Sequence, residues 1–294
     1  MPESLKTNAS SLSVIVPMTR MAGRMENLDS WLSHSADLPI NIVIVHDIQD
    51  SFTAEELNEL VKKYNNLEIK VIEGTYGAPG LARNAGLNSP LANWTTFWDA
   101  DDLPNPREAL EAIAEADAQT EVIIANFTVS SAQGTEIFEH QAQMEVVALN
   151  PGLWRMIISS SILEGLSFSS ARMGEDQLFL IDLNLGSREI HFSKKFIYQY
   201  FIGSPLQLTS NQDSINEVED ALKLVRKRLR EKKKLKNEFS EIVLMRLLTT
   251  TLMRTKGASR INLVIRHVGI IIQLNPRMVA AYVSSLRKTK AKRK

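Results

Sequence analysis

Short apolar, β-branched runs punctuate the first half of the chain at 13–17 (SVIVP), 40–45 (INIVIV), 67–72 (LEIKVI), 94–98 (WTTFW) and 121–129. Runs of this length between polar or Pro-containing turns predict buried strands. The segments between them change period. In 53–64 (TAEELNELVKKY), Leu57, Leu60, Val61 and Tyr64 share one helical face, and Thr53 with Glu56 has the spacing of a capping box. Further helices are predicted over 25–34, 80–87 and 106–116. Alternation of strand and helix predicts an α/β fold with a mostly parallel sheet flanked by helices, whose ligands bind at the carboxyl ends of its strands.

Near residue 211 the pattern changes. Val218, Leu222, Val225 and Leu229 form the apolar stripe of a very basic helix running to about 236, and a second helix is predicted over 239–253. The expected organisation is an α/β domain over 1–211, a basic helical region over 212–286 and a basic disordered tail, RKTKAKRK, over 287–294. Charge follows the same division: residues 1–214 hold 13 Lys and Arg against 28 Asp and Glu, while 215–294 hold 21 against 6. The zero net charge therefore conceals an acidic body with a basic end, a distribution suited to polyanions or an anionic membrane surface.

Several classes are excluded. Without Cys there are no disulfides, thiolate metal sites or cysteine nucleophiles. Walker, GxGxxG and GxSxG motifs are missing, and the five His residues lack zincin spacing. The polar first thirteen residues lack the apolar core of a signal peptide, and the run 261–274 is interrupted by Arg266 and His267 and falls short of the ~20 residues of a spanning helix. The sequence thus predicts a cytoplasmic protein, peripheral at the inner face of the membrane if its basic helices meet that surface.

The feature richest in chemistry is WTTFWDADD (94–102), a strand ending in Asp99, Asp101 and Asp102. Crowded carboxylates repel one another; they suit either solvent or a hard divalent cation with oxygen ligands, Mg²⁺ or Mn²⁺. A solvated acidic turn, with Asp102 capping the next segment, accounts for the same residues.

Five segments in order, SVIVP (13–17), IVIVHD ending at Asp47, GAPGLARNAGL (77–87), FWDADD (97–102) and GEDQLF (174–179), together resemble family 2 glycosyltransferases of the GT-A fold, over roughly 12–210. The resemblance implies an inverting transfer of one sugar from a nucleotide-diphospho-sugar, UDP-linked by default, to a hydroxyl acceptor in cell-surface polysaccharide or lipid-linked glycan synthesis. No QxxRW motif of processive members is present. The donor site implied comprises Pro17, Asp47, Arg83, Asn84, Asp99 and Asp101. Asp101 is the expected ligand of Mn²⁺ or Mg²⁺, with Asp102 behind it. Asp176 is the expected general base beside Glu175, and both also suit the N-terminus of a helix. Trp154 in PGLWRM (151–156) is the implied acceptor platform, although a core Trp reads equally well.

The sequence departs from the pattern at His46 and at Ile48-Gln49 around the base-binding acid, and at Thr19-Arg20 after the first strand. Arg20, Ser204 and Gln207 are weaker phosphate-side candidates. A non-catalytic sugar-nucleotide-binding scaffold and a nucleotidyltransferase stay open as alternatives. Nucleic acid is not expected as a partner, because beyond residue 214 the only aromatics are Phe239 and Tyr282.

Overall fold

The computed structural model describes residues 11–19, 21, 25–49, 54–131, 133–139, 144–202, 214–255 and 258–271. The Thr53 cap, Arg20, Ser204, Gln207 and the tail from 272 lie outside them. The chain divides into two compact units, one comprising Met1–Gln141, Gly152–Arg172 and Arg188–Ser210, the other Ala142–Pro151, Met173–Ser187 and Asn211–Lys294.

Among the described residues the first unit carries nine strands and four α-helices in the order β1 (Leu12–Met18), α1 (Met25–Ser33), β2 (Ile40–Asp47), α2 (Ala54–Lys63), β3 (Glu68–Gly74), α3 (Pro79–Leu87), β4 (Trp94–Phe97), β5 (Leu103–Pro104), α4 (Pro106–Glu115), β6 (Val122–Ser131), β7 (Gly134–Phe138), β8 (Met156–Ser159) and β9 (Ile190–Phe201). The sheet order is β3-β2-β1-β4-β8-β6-β9-β5, with β7 on β6. Strands β1 to β4, β6 and β9 run one way, and only β5, β7 and β8 run against them. The result is the mixed α/β, mostly parallel sheet flanked by helices that the sequence predicts.

Composition explains the parallel half. Leu12, Val14, Ile15 and Val16 of β1 and Ile42, Ile44 and Val45 of β2 are fully buried, as expected of strands covered on both faces. Helix α1 contributes Leu28, Trp31 and Leu32 to that core, where Trp31 meets Trp98 edge to face with centroids 5.7 Å apart. Helix α3 lies so close to β1 that a Cβ on Gly86 would fall 2.4 Å from Ile15 Cγ2, so this position admits no side chain. From β1 the chain steps outward to β2 and β3, then returns to place β4 on the other side of β1. That reversal opens a crevice beyond the carboxyl ends of β1 and β4, where Pro17 and the acidic turn lie.

The second unit is helical: α5 (Met144–Leu149), α6 (Glu175–Asp182), α7 (Ser214–Glu231), α8 (Glu238–Arg254) and α9 (Ala258–Ile271). The predicted stripe on α7 is buried at Val218, Leu222, Val225 and Leu229 and shares a core with Phe239, Val243 and Leu247 of α8. Helix α8 opens with a capping box between Asn237 and Ser240. Among the described residues no helix is long and apolar enough to cross a membrane.

Candidate active site

The acidic turn after β4 divides its carboxylates among three tasks. Asp99 Oδ1 accepts from Arg83 Nη2 at 3.0 Å; that guanidinium, 8% exposed on α3, also lies over the Phe168 ring, 5.6 Å from its centroid. Asp102 is 1% exposed, with Oδ2 accepting from the Tyr198 hydroxyl at 2.8 Å and Oδ1 from the Phe201 N–H at 2.8 Å. Both its oxygens thus hold β9 against the turn. Asp101 is half-buried between them, and its carbonyl accepts from Asn27 Nδ2 at 2.6 Å.

Tyr198 locks this arrangement. While donating to Asp102 it accepts from the Asp99 N–H at 3.1 Å. Burial pushes its phenol well above the usual range, reinforced by the negative charges of Asp102 and Asp99, so it stays a donor at any working pH. Tyr198→Phe keeps the ring and removes both bonds, leaving Asp102 short of a partner. A stability loss of about 1–3 kcal/mol is expected, measurable as a lower urea midpoint with unchanged slope.

Asp47 ends β2 and is 7% exposed. Its Oδ1 accepts from the Gln49 N–H at 3.1 Å, and its Oδ2 from the N–H groups of Gly77 at 3.0 Å and Tyr76 at 3.3 Å. The carboxylate thereby fixes the loop that leads into α3. His46 beside it is buried, its Nδ1 3.8 Å from Glu73 Oε1. Asn84 makes a two-way clamp: its Nδ2 donates to the Phe168 carbonyl at 2.9 Å and its Oδ1 accepts from the Phe168 N–H at 2.7 Å. Pro17 is half-buried on β1 opposite Val45.

Trp154 lies in a 3₁₀ turn, Leu153–Arg155, half-buried among aromatics. It stacks on Tyr198 and Tyr200 at 4.7 and 5.4 Å and meets Phe127 edge to face at 4.7 Å. Its neighbour Arg155, 2% exposed, sits over Phe127, and among the described residues its Nε and Nη2 make no hydrogen bond. Burial pulls this guanidinium down to about 10.

Glu175 and Asp176 belong to the second unit, at the N-terminus of α6. Glu175 is buried and Asp176 half-buried, with Oδ1 of Asp176 accepting from the Gln177 N–H at 2.7 Å. The first turn of a helix favours their charge. Gly174 precedes them with φ of 77°, and a Cβ there would lie 2.8 Å from that of Ala221. Gly174→Ala therefore meets left-handed backbone strain and a clash. A loss of at least about 2 kcal/mol is expected, read as a lower denaturation midpoint.

In the first unit the structure joins Arg83 to Asp99 directly, and it gives Asp47 and Asn84 partners in neighbouring loops. Tyr198 and the backbone groups of Phe168 and Phe201 emerge as organisers that sequence reasoning did not single out. No local spacing ties Tyr198 to an acid 96 residues earlier. For a divalent cation the donors offered at this turn are carboxylate oxygens, and Asp101 is half-buried there. Among the described residues, no group of three or more His, Asp or Glu side chains is arranged to hold a metal ion by itself. Oxygen donors alone suit Mg²⁺ or Mn²⁺ completed by water and a bound phosphate.

Comparison with known proteins gives concordant results. A family model described as Glycosyl transferase family 2 matches residues 13–173, which includes the acidic turn and ends just before Glu175. Glycosyltransferase GlyA of Streptococcus pneumoniae serotype 4 is 23% identical over 218 residues, 65% of this chain and 30% of that protein. The chain thus spans less than a third of that relative. Among solved structures, S. aureus TarS 1-349 in complex with UDP-GlcNAc is similar with a TM-score of 0.65 at 19% identity, covering 92% of this chain and 83% of that one. The mannosyltransferase PcManGT from Pyrobaculum calidifontis, in complex with GDP-Man and Mn²⁺, gives 0.56 at 14% identity, covering 94% and 84%. At these identities the likeness is one of fold, GT-A.

Proposed function

The chain belongs to glycosyl transferase family 2, and from that premise we propose that it is a metal-dependent, inverting glycosyltransferase. It takes a nucleotide-diphospho-sugar, UDP-linked, and adds a single sugar to a hydroxyl of a cell-surface polysaccharide or lipid-linked glycan. The observation that carries this reading is the division of labour in the acidic turn: Asp102 is committed to β9 and Asp99 to Arg83, with the half-buried Asp101 set between them. TarS and PcManGT, which share the fold, are described with UDP-GlcNAc and with GDP-Man and Mn²⁺.

Asp101 would hold Mn²⁺ or Mg²⁺. When bound, the ion supplies neutralisation of the charge that builds on a departing nucleotide diphosphate. The protein's own groups do the rest. Arg83 holds Asp99 in one rotamer, so that it presents a fixed oxygen to the donor. Asp47 keeps the loop before α3 in place and is the acid assigned to the nucleotide base, and the backbone at Pro17 is a further donor contact. Asn84 acts by holding the Phe168 segment. Asp176, with Glu175 beside it, takes the proton of the acceptor hydroxyl as its oxygen attacks the anomeric carbon opposite the diphosphate. One displacement inverts that centre with no covalent enzyme intermediate. Trp154 offers a ring face to an acceptor sugar.

Nucleotide release from UDP-, GDP-, CDP- and dTDP-sugars, each with and without Mn²⁺ and with membrane extract as acceptor source, tests this. Release from one donor class only when metal is present is the expected result. No release from any donor under any condition contradicts catalysis and favours the scaffold reading.

A further inference from the structure

The basic part of the chain is not absorbed by sugar transfer, and it forms a site of its own. Helices α7 and α9, both in the second unit, line an open cavity of about 400 Å³ bordered by Lys223, Arg226, Lys227, Arg230, Glu231 and His267. The four cations of α7 follow the spacing i, i+3, i+4, i+7 and so share one face. Their local pairing is incomplete. Lys223 pairs with Glu219 and Asp220, and Lys227 is 3.8 Å from Glu231, but among the described residues Arg226 and Arg230 have no carboxylate partner. Burial, then repulsion from Arg230, lowers the proton affinity of Arg226, the mark of cations crowded without a counter-charge.

From α9, His267 lines the same cavity at 2% exposure. Among the described residues neither of its ring nitrogens makes a hydrogen bond, and Glu219 Oε1 lies 3.9 Å from Nε2. Arg266 neutralises that same Glu219, so the carboxylate does not discharge the cavity. A buried polar ring facing two unpaired guanidinium groups calls for an anionic ligand with several acceptor oxygens, which is the chemistry of a phosphate group.

The surroundings say which phosphate. Helix α9 exposes Ile261, Ile265 and Val268, 64%, 65% and 47% accessible, at i, i+4, i+7 on one face. An apolar stripe presented to solvent on a helix that borders an open cationic cavity matches the boundary between headgroups and acyl chains. A nucleic acid would need aromatic platforms, and Phe239 of α8 is fully buried. We propose that the α7–α9 cavity binds the phosphate of an anionic phospholipid headgroup while the Ile261–Ile265–Val268 stripe enters the bilayer interface. This goes beyond sugar transfer and stands or falls apart from it, since the test needs no turnover.

The test is co-sedimentation of the full chain with vesicles of phosphatidylcholine alone or mixed equally with phosphatidylglycerol, at low salt. Binding to the mixed vesicles only is expected, and raising the salt should weaken it. Arg226→Gln with Arg230→Gln should lower the partition by about tenfold or more, and Ile265→Ser should lower it without altering the charge. Circular dichroism melts unchanged from wild type would establish that both variants are folded. Four outcomes overturn the proposal. These are equal binding to neutral vesicles, mixed-vesicle binding indifferent to the double variant, capture of inorganic phosphate with no vesicle binding, and a dimer that Ile265→Ser dissolves while vesicles go unbound.

Discussion

Asp101→Ala is expected to lower metal-stimulated nucleotide release by about 10²- to 10³-fold, the usual consequence of removing one group that stabilises developing charge. The size of the effect reflects what its neighbours are doing. Asp102 cannot replace it, because one of its oxygens holds the Tyr198 hydroxyl and the other the Phe201 N–H. Asp99 is drawn toward Arg83. With Asp101 gone, the turn should retain its shape and lose the proposed metal ligand. The variant should therefore melt close to wild type, and its residual activity should no longer respond to Mn²⁺. Initial rates against Mn²⁺ concentration give the measurement. A wild-type response in the variant would move the metal to another carboxylate.

Asp176→Asn is expected to lower kcat by about 10²- to 10⁴-fold with donor affinity retained, the range for loss of a general base. The amide preserves the shape of the carboxylate, and its Oδ1 can still accept from the Gln177 N–H that the aspartate holds at 2.7 Å. The capacity to take a proton disappears. Donor titration by calorimetry alongside kcat separates the two roles: a variant that loses donor binding while keeping kcat would make Asp176 a donor ligand.

The parallel half of the sheet was legible because its information is local. Strands β1 and β2 are buried on both faces and read as unbroken Val and Ile runs; α1, α2, α3 and α4 lie within a residue of their expected limits. The remainder of the sheet depends on distant pairing. Strand β5 is two residues long and exists through its contact with Tyr198 and Gln199, β7 is exposed over most of its length, and Lys194-Lys195 interrupts the apolar pattern of β9. The site divides in the same way. The motif DADD announced an acidic centre, but which of its carboxylates is structural is decided by residues 96 to 99 positions downstream. The amide of Asn84 likewise bonds the backbone of Phe168, 84 residues away. No pattern within a motif records such partners. Gly174 is different: a glycine directly before two acids and an apolar run did mark a helix start, and its positive φ explains why no other residue fits there.

Binding of a nucleotide diphosphate at the acidic turn after β4, through a divalent cation held by Asp101, is the step on which the proposed chemistry depends. Calorimetric titration of UDP into the full-length chain, with and without Mn²⁺, for wild type and Asp101→Ala, tests it without relying on turnover or on an acceptor. Saturable binding to wild type that requires Mn²⁺ and is lost in the variant is the expected result. Binding of equal strength with and without the metal, or undiminished in Asp101→Ala, would contradict it.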